Sequence, residues 1–197
     1  MQMVEDSYDL TKRKDERSGE YVPEDIPAER AADEVLKKVP GAESRKRKDG
    51  RVELNVPSTS IGSVMSEFKR MGYDHFVALT CIDLIKEDMF EMVYHLWSYG
   101  ARTHVYVKTN IPREDPSIES VVEVFRTAVT YEREIKEMFG VDFPGNQRLT
   151  QFILEDWEGP PPMRKDFDSI RYVQDKFDIK VRNPKGLPPK WTKEGGK

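Results

Sequence analysis

A break at Val141 constrains this chain more than any other feature of its 197 residues. Before it, apolar residues recur with the periods of helices and strands. After it, prolines punctuate the chain: Pro144, Pro160-Pro161-Pro162, Pro184, and Pro188-Pro189. Each fixes φ and removes a backbone donor, which prevents long regular elements. Yet Phe143, Phe152, Ile153, Leu154, Trp157, Met163, Phe167, Tyr172, Phe177 and Trp191 are scattered through the same stretch. Such a segment is too irregular to build a core alone and too apolar for a plain linker. It is expected to be an extended arm, residues 144–197, lying on another protein.

The chain ahead of the break divides in two. Residues 1–22 carry many charges and little to bury, which predicts a flexible arm. Residues 23–143 read as a core domain. Pro27 suits a first helical position, Ala31, Val35, Leu36 and Val39 share a face, and Pro40-Gly41 stops the helix. Residues 43–56 read as a hairpin turning at Asp49-Gly50, with a polar first strand at the sheet edge. Ser58 or Ser60 caps a second helix along Ile61, Val64, Met65, Phe68 and Met71, ended by Gly72. His75 to Ile85 is expected to be a central strand. Met89 to Trp97 and Thr103 to Ile111 form a second hairpin. A long helix is expected from Asp115-Pro116 through Phe139, ended by Gly140. The predicted class is α+β: a mainly antiparallel sheet with helices packed on it, plus an extended irregular C-terminal arm.

Composition narrows the function. Charged residues make up 35% and the net charge is -4, which predicts no general attraction to nucleic acid or anionic lipid. Glu, Lys and Arg are abundant and Asn and Gln scarce, a balance met in hyperthermophile proteins. No stretch reaches the roughly 18 apolar residues of a spanning helix, and residues 1–20 lack the apolar core of a signal peptide. The expected location is therefore cytoplasmic, with the membrane reached only through partners. Cys81 is the single cysteine, so neither a disulfide nor a cysteine-ligated cluster can form within the chain.

The remaining motifs favour no chemistry. His95 and His104 lie on paired strands but lack the further ligands that zinc needs, so both read as polar sheet residues. His75 reads as a surface residue. Arg45-Lys46-Arg47-Lys48 reads as positive charge guarding an edge strand. It is also the only support for an alternative, a free-standing module binding nucleic acid or peptide. Neither a Gly-rich phosphate loop nor a serine nucleophile elbow occurs, so no residue is assigned a catalytic role and a stand-alone enzyme has no motif behind it.

Two strings point further. The first is Glu132-Arg133-Glu134 followed by Glu137-Met138-Phe139-Gly140. The second is Trp157-Glu158-Gly159 followed by Met163-Arg164-Lys165-Asp166-Phe167. Together they resemble the signature of the 30 kDa subunit family of respiratory complex I, with the resemblance spanning roughly residues 27–168. One departure is clear. Where the family has Gly-His-Pro-Asp-Leu-Arg-Arg, this chain has Gly145-Asn146-Gln147-Arg148-Leu149-Thr150-Gln151. Thr150 and Gln151 replace the basic pair, leaving Arg148 as a partial substitute. The departure suits a divergent relative, such as a subunit of an archaeal membrane-bound hydrogenase, a sulfane-sulfur reductase or a ferredoxin-oxidising complex.

The resemblance implies a cofactor-free structural and assembly subunit of a membrane-associated, ion-pumping oxidoreductase. Its implied partners are a large redox subunit, with a quinone or nickel–iron site, and a small iron–sulfur subunit. Iron–sulfur clusters, and nickel–iron in the hydrogenase case, belong to those partners. The residues expected at the partner interface are Glu132, Arg133, Glu134, Phe139, Gly140, Arg148, Trp157, Arg164, Lys165, Asp166 and Phe167 within the resemblance, and Trp191 in the arm beyond it. Arg offers planar bidentate contacts to carboxylates, and Phe167 an apolar anchor beside them.

Overall fold

The computed structural model describes residues 26–178. The charged arm at residues 1–22 and Trp191 lie outside the described residues.

Helix α1 (Ala28–Lys38) buries Ala28, Ala31, Ala32 and Val35 on one stripe, and Lys37 and Lys38 complement its C-terminal dipole. Strands β1 (Glu43–Lys46) and β2 (Val52–Asn55) form the expected hairpin, and β1 is exposed along its whole length. A single tight turn at Ser58–Ser60 leads into α2 (Ile61–Arg70). Neither serine caps α2 through its side chain; instead the Ser63 hydroxyl donates back to the Ser60 carbonyl. Ile61, Val64, Met65 and Phe68 face inward, and Gly72, at φ 88°, lets the Tyr73 amide return to the Phe68 carbonyl.

Strands β3 (His75–Leu84), β4 (Met89–Ser98) and β5 (Thr103–Pro112) complete a five-stranded sheet in the order β1-β2-β5-β4-β3. Three of the pairings are antiparallel, but β2 runs parallel to β5, so the sheet is mixed. One sheet face alternates into the core through Leu54, Phe90, Met92, Tyr94, Leu96, Val105 and Val107, all at zero exposure. The helices cover that face.

Two expectations are corrected. Strand β3 is an edge, not a central strand. Its apolar run reflects a bulge at Val77 and cover from a later helix rather than strands on both sides. The long helix also starts later, as α3 (Ala128–Phe139). The apolar spacing ahead of it comes from tight turns, with the Phe125 amide on the Val121 carbonyl and the Ala128 amide on the Phe125 carbonyl. Upstream, residues 116–120 pair in parallel with 142–144: Ile118 donates to Asp142, Asp142 to Pro116, and Ser120 to Pro144. A helix there would break those bonds.

Among the described residues beyond Pro144 the chain is largely irregular, with one short helix, α4 (Ser169–Phe177). Asp168 caps it by accepting from the Arg171 amide at 3.1 Å.

Candidate functional site

Helix α3 carries the first motif, and each turn of it holds a different stretch of backbone. Glu132 is fully buried. Its carboxylate accepts from the Ser120 hydroxyl (2.7 Å), the Val121 amide (2.9 Å) and the Asn146 side-chain amide (2.9 Å). Burial pushes its carboxyl above the usual range, against the pull of those three donors. Glu132 is thus occupied inside the chain, holding the turn before α3 to the turn after it.

One residue on, the opposite side of α3 grips a loop. Arg133 donates to the Thr150 carbonyl (3.3 Å) and the Gln151 carbonyl (2.7 Å). Glu137, one turn later, accepts from the amides of Phe152 (3.0 Å), Ile153 (2.8 Å) and Leu154 (3.3 Å). Burial would raise the Glu137 carboxyl, but these three amides outweigh it and hold it below the usual range. The pair at i and i+4 therefore binds carbonyls with one member and amides with the other.

The end of α3 receives the second motif. Gly140 takes φ 77°, and a Cβ there would meet Pro161 Cγ at 2.9 Å and Arg164 Nη2 at 3.1 Å. The arm crosses at that point. The Met163 amide reaches the Met138 carbonyl (3.0 Å), and Arg164 Nε reaches the Phe139 carbonyl (2.7 Å).

Beside it lies the most buried ion pair among the described residues. Arg113, just past β5, donates twice to Asp83 on β3, at 2.8 and 3.1 Å, and once to Asp166, at 2.9 Å. The Lys165 amide also donates to Asp83, at 2.8 Å. Burial would raise the Asp83 carboxyl; the Lys165 amide and the Arg113 guanidinium outweigh it and lower it. Both Arg113 and Arg164 stand over the Phe90 ring, at 5.4 and 5.2 Å from its centroid.

Further along, Trp157, Phe167 and Tyr172 pack on one another with centroids 5.0–6.0 Å apart. A Cβ on Gly159 would meet Trp157 at 2.7 Å and Tyr172 at 2.8 Å, which accounts for the glycine of the second motif.

The structure thus joins the two motifs, separated by sixteen residues, into one clasp between the arm and the sheet. Arg133, Gly140, Arg164 and Asp166 all belong to it, and of Lys165 the backbone amide. Glu134 and Arg148 are exposed, and Phe139, Trp157 and Phe167 are partly buried. Four residues of the clasp carried no sequence-based assignment: Asp83, Arg113, Glu137 and Asn146. Asp83 had a readable signal, because a carboxylate on the inward side of an apolar strand needs a partner.

The other candidates are accounted for more simply. His95 Nε2 and His104 Nδ1 lie 2.8 Å apart. Burial, with His104 and Arg51 nearby, pushes His95 down to about 4, so it is neutral at pH 7. Among the described residues, no group of three or more His, Cys, Asp or Glu is placed to hold a metal ion. Cys81 is buried and pushed up to about 12. Lys46 pairs with Glu29 and Arg47 with Glu53, so half of the basic run is neutralised within the chain. No helix among the described residues is long and apolar enough to cross a membrane.

Fold and clasp define a class: a small α+β domain whose signature helix latches its own C-terminal arm. Residues 54–173 match the family described as respiratory-chain NADH dehydrogenase, 30 Kd subunit, and the chain belongs to that family. It is 34% identical over 115 residues to the C-type subunit of NADH-quinone oxidoreductase from Moorella thermoacetica, covering 58% of this chain and 78% of that one. It is 37% identical over 101 residues to the C-type subunit of F(420)H(2) dehydrogenase from Methanosarcina mazei, covering 51% and 64%. Among solved structures, it is similar to a chain of the membrane-bound sulfane sulfur reductase, an archaeal respiratory membrane complex. The TM-score is 0.70 at 36% identity, over 78% of this chain and 93% of that one. A trypsin-resistant fragment of Nqo5 shares the fold, with a TM-score of 0.56 at 24% identity, covering 61% and 98%. The resemblance read from the two motifs, and the α+β class, are thereby shown. This chain is a complex I 30 kDa-type subunit.

Proposed function

We propose that this chain is a cofactor-free structural and assembly subunit of a membrane-associated, ion-pumping oxidoreductase. In this reading it supports the large redox subunit, of quinone or nickel–iron type, and the small iron–sulfur subunit on the cytoplasmic side of the membrane. The observation that carries it is the use made of the family signature. Glu132, Arg133, Glu137 and Arg164 are spent on backbone amides and carbonyls of this same chain, an arrangement that shapes a surface. Glu134, Arg148 and Lys165, with exposed side chains, are the motif residues we carry forward as partner contacts. The pairing of Lys46 and Arg47 weakens the nucleic-acid alternative.

The test is affinity purification of the tagged chain from its native membranes, with co-eluting chains identified and metals measured. A large subunit, an iron–sulfur subunit and metal carried by those chains are expected. Stoichiometric iron, nickel or zinc bound to the isolated chain, or turnover by it, would count against the proposal.

A further inference from the structure

We infer that residues 150–158 form a preshaped docking edge for a neighbouring protein subunit, one whose surface carries an apolar pocket bordered by lysines or arginines. This rests on the subunit reading above.

The backbone of residues 150–154 is held from α3 by Arg133 on its carbonyls and Glu137 on three consecutive amides. Chain connection alone does not require three amides gathered on one carboxylate. Charge-assisted bonds of this kind hold a loop in one shape.

What that shape displays is apolar. Phe152 is 40% exposed and Ile153 is 51% exposed. The Arg133 guanidinium stands 4.7 Å from the Phe152 centroid, so the ring itself is braced. Large apolar groups ordered before binding lose little entropy on binding, which is what makes them effective anchors.

The charge beside the anchors sets the partner's chemistry. Glu155 and Asp156 follow directly and are exposed, whereas Glu158, two residues on, is paired with Lys176 at 3.2 Å, so the acidic border rests on the first two. An acidic border calls for a basic one opposite. It also disfavours a lipid surface, whose anionic headgroups would repel it.

The test uses the full-length tagged chain in its native membranes. A photoreactive phenylalanine analogue at position 153 is expected to crosslink to one other subunit, at an apolar segment flanked by Lys or Arg. Crosslinks confined to lipid, or to a second copy of this chain, overturn the inference. In parallel, F152D/I153D is expected to lower retention of the complex about a hundredfold. Its melting should stay at the wild-type value, because both groups lie outside the core. Glu137→Gln, which keeps the anchors but loosens the loop, is expected to lower retention by a smaller factor. Retention of F152D/I153D at the wild-type level overturns the docking edge alone. A wild-type chain that co-elutes with no redox subunit overturns the subunit reading and the docking edge with it.

Discussion

Behind β4 and β5, Phe90, Met92, Tyr94, Leu96, Val105 and Val107 sit at zero exposure among other apolar groups. Residues 150–168 meet the same domain chiefly through hydrogen bonds and ion pairs. Burial of each large apolar side chain contributes about 1.5–3 kcal/mol and is nearly indifferent to pH. A clasp made of carboxylates and guanidiniums depends on protonation, and breaking one buried member leaves the other uncompensated. The difference teaches that one chain can attach two regions by separable forces. The arm should be able to let go while the sheet stays folded.

The largest expected effect comes from Asp83→Asn. The Asp83 side chain is 2% exposed and its Arg113 partner 10%, and weakening such a pair costs about 3 kcal/mol. Hydrogen exchange should show amides at 163–167 losing protection while those of β4 and β5 keep theirs. Equal loss in both regions would break the comparison, making arm and sheet one cooperative unit.

Next comes a pair of glycine substitutions. Gly50 and Gly140 both have positive φ, 81° and 77°, but a Cβ on Gly50 meets nothing within 4 Å. Gly50→Ala should cost about 1 kcal/mol, the left-handed backbone penalty alone. Gly140→Ala adds the collision with Pro161 and Arg164, for a total of about 2–3 kcal/mol. Urea melts of the two variants separate the backbone penalty from the contact with the arm.

A smaller effect is the opposite pH response of two carboxyls. Asp83 is held below its ordinary value of 3.8, so its contribution is complete above that pH and is lost as pH falls through the depressed value. Acid should therefore loosen the arm. Glu132 is held above its ordinary value of 4.5, so stability falls as pH rises from 4.5 to the raised value. Denaturant melts across this window should show that slope in the wild type and none in Glu132→Gln. An unchanged slope in the variant would mean that another group titrates there.

The smallest effect is expected at Lys46, whose pair with Glu29 is more than half exposed on both sides. Lys46→Ala should change stability by only about 0.3 kcal/mol. A loss several times larger in a urea melt would show that β1 depends on charge as the arm does.

What the sequence determined was local. The turn at Asp49-Gly50, the stripes of α1 and α2 and the alternation of β4 and β5 were legible because each depends on neighbours within a few positions. The two motifs were legible as strings, and with them the family. Tertiary structure alone decided what lies far apart in the chain. It paired β2 with β5, set β3 at the edge and delayed α3 to Ala128 by pairing 116–120 with 142–144. It also brought Asp83, Arg113 and Asp166 together and turned Glu132 inward. Periodicity reports which face of an element is buried. It carries no information about which distant backbone or charge will meet that face, because that choice is made by packing.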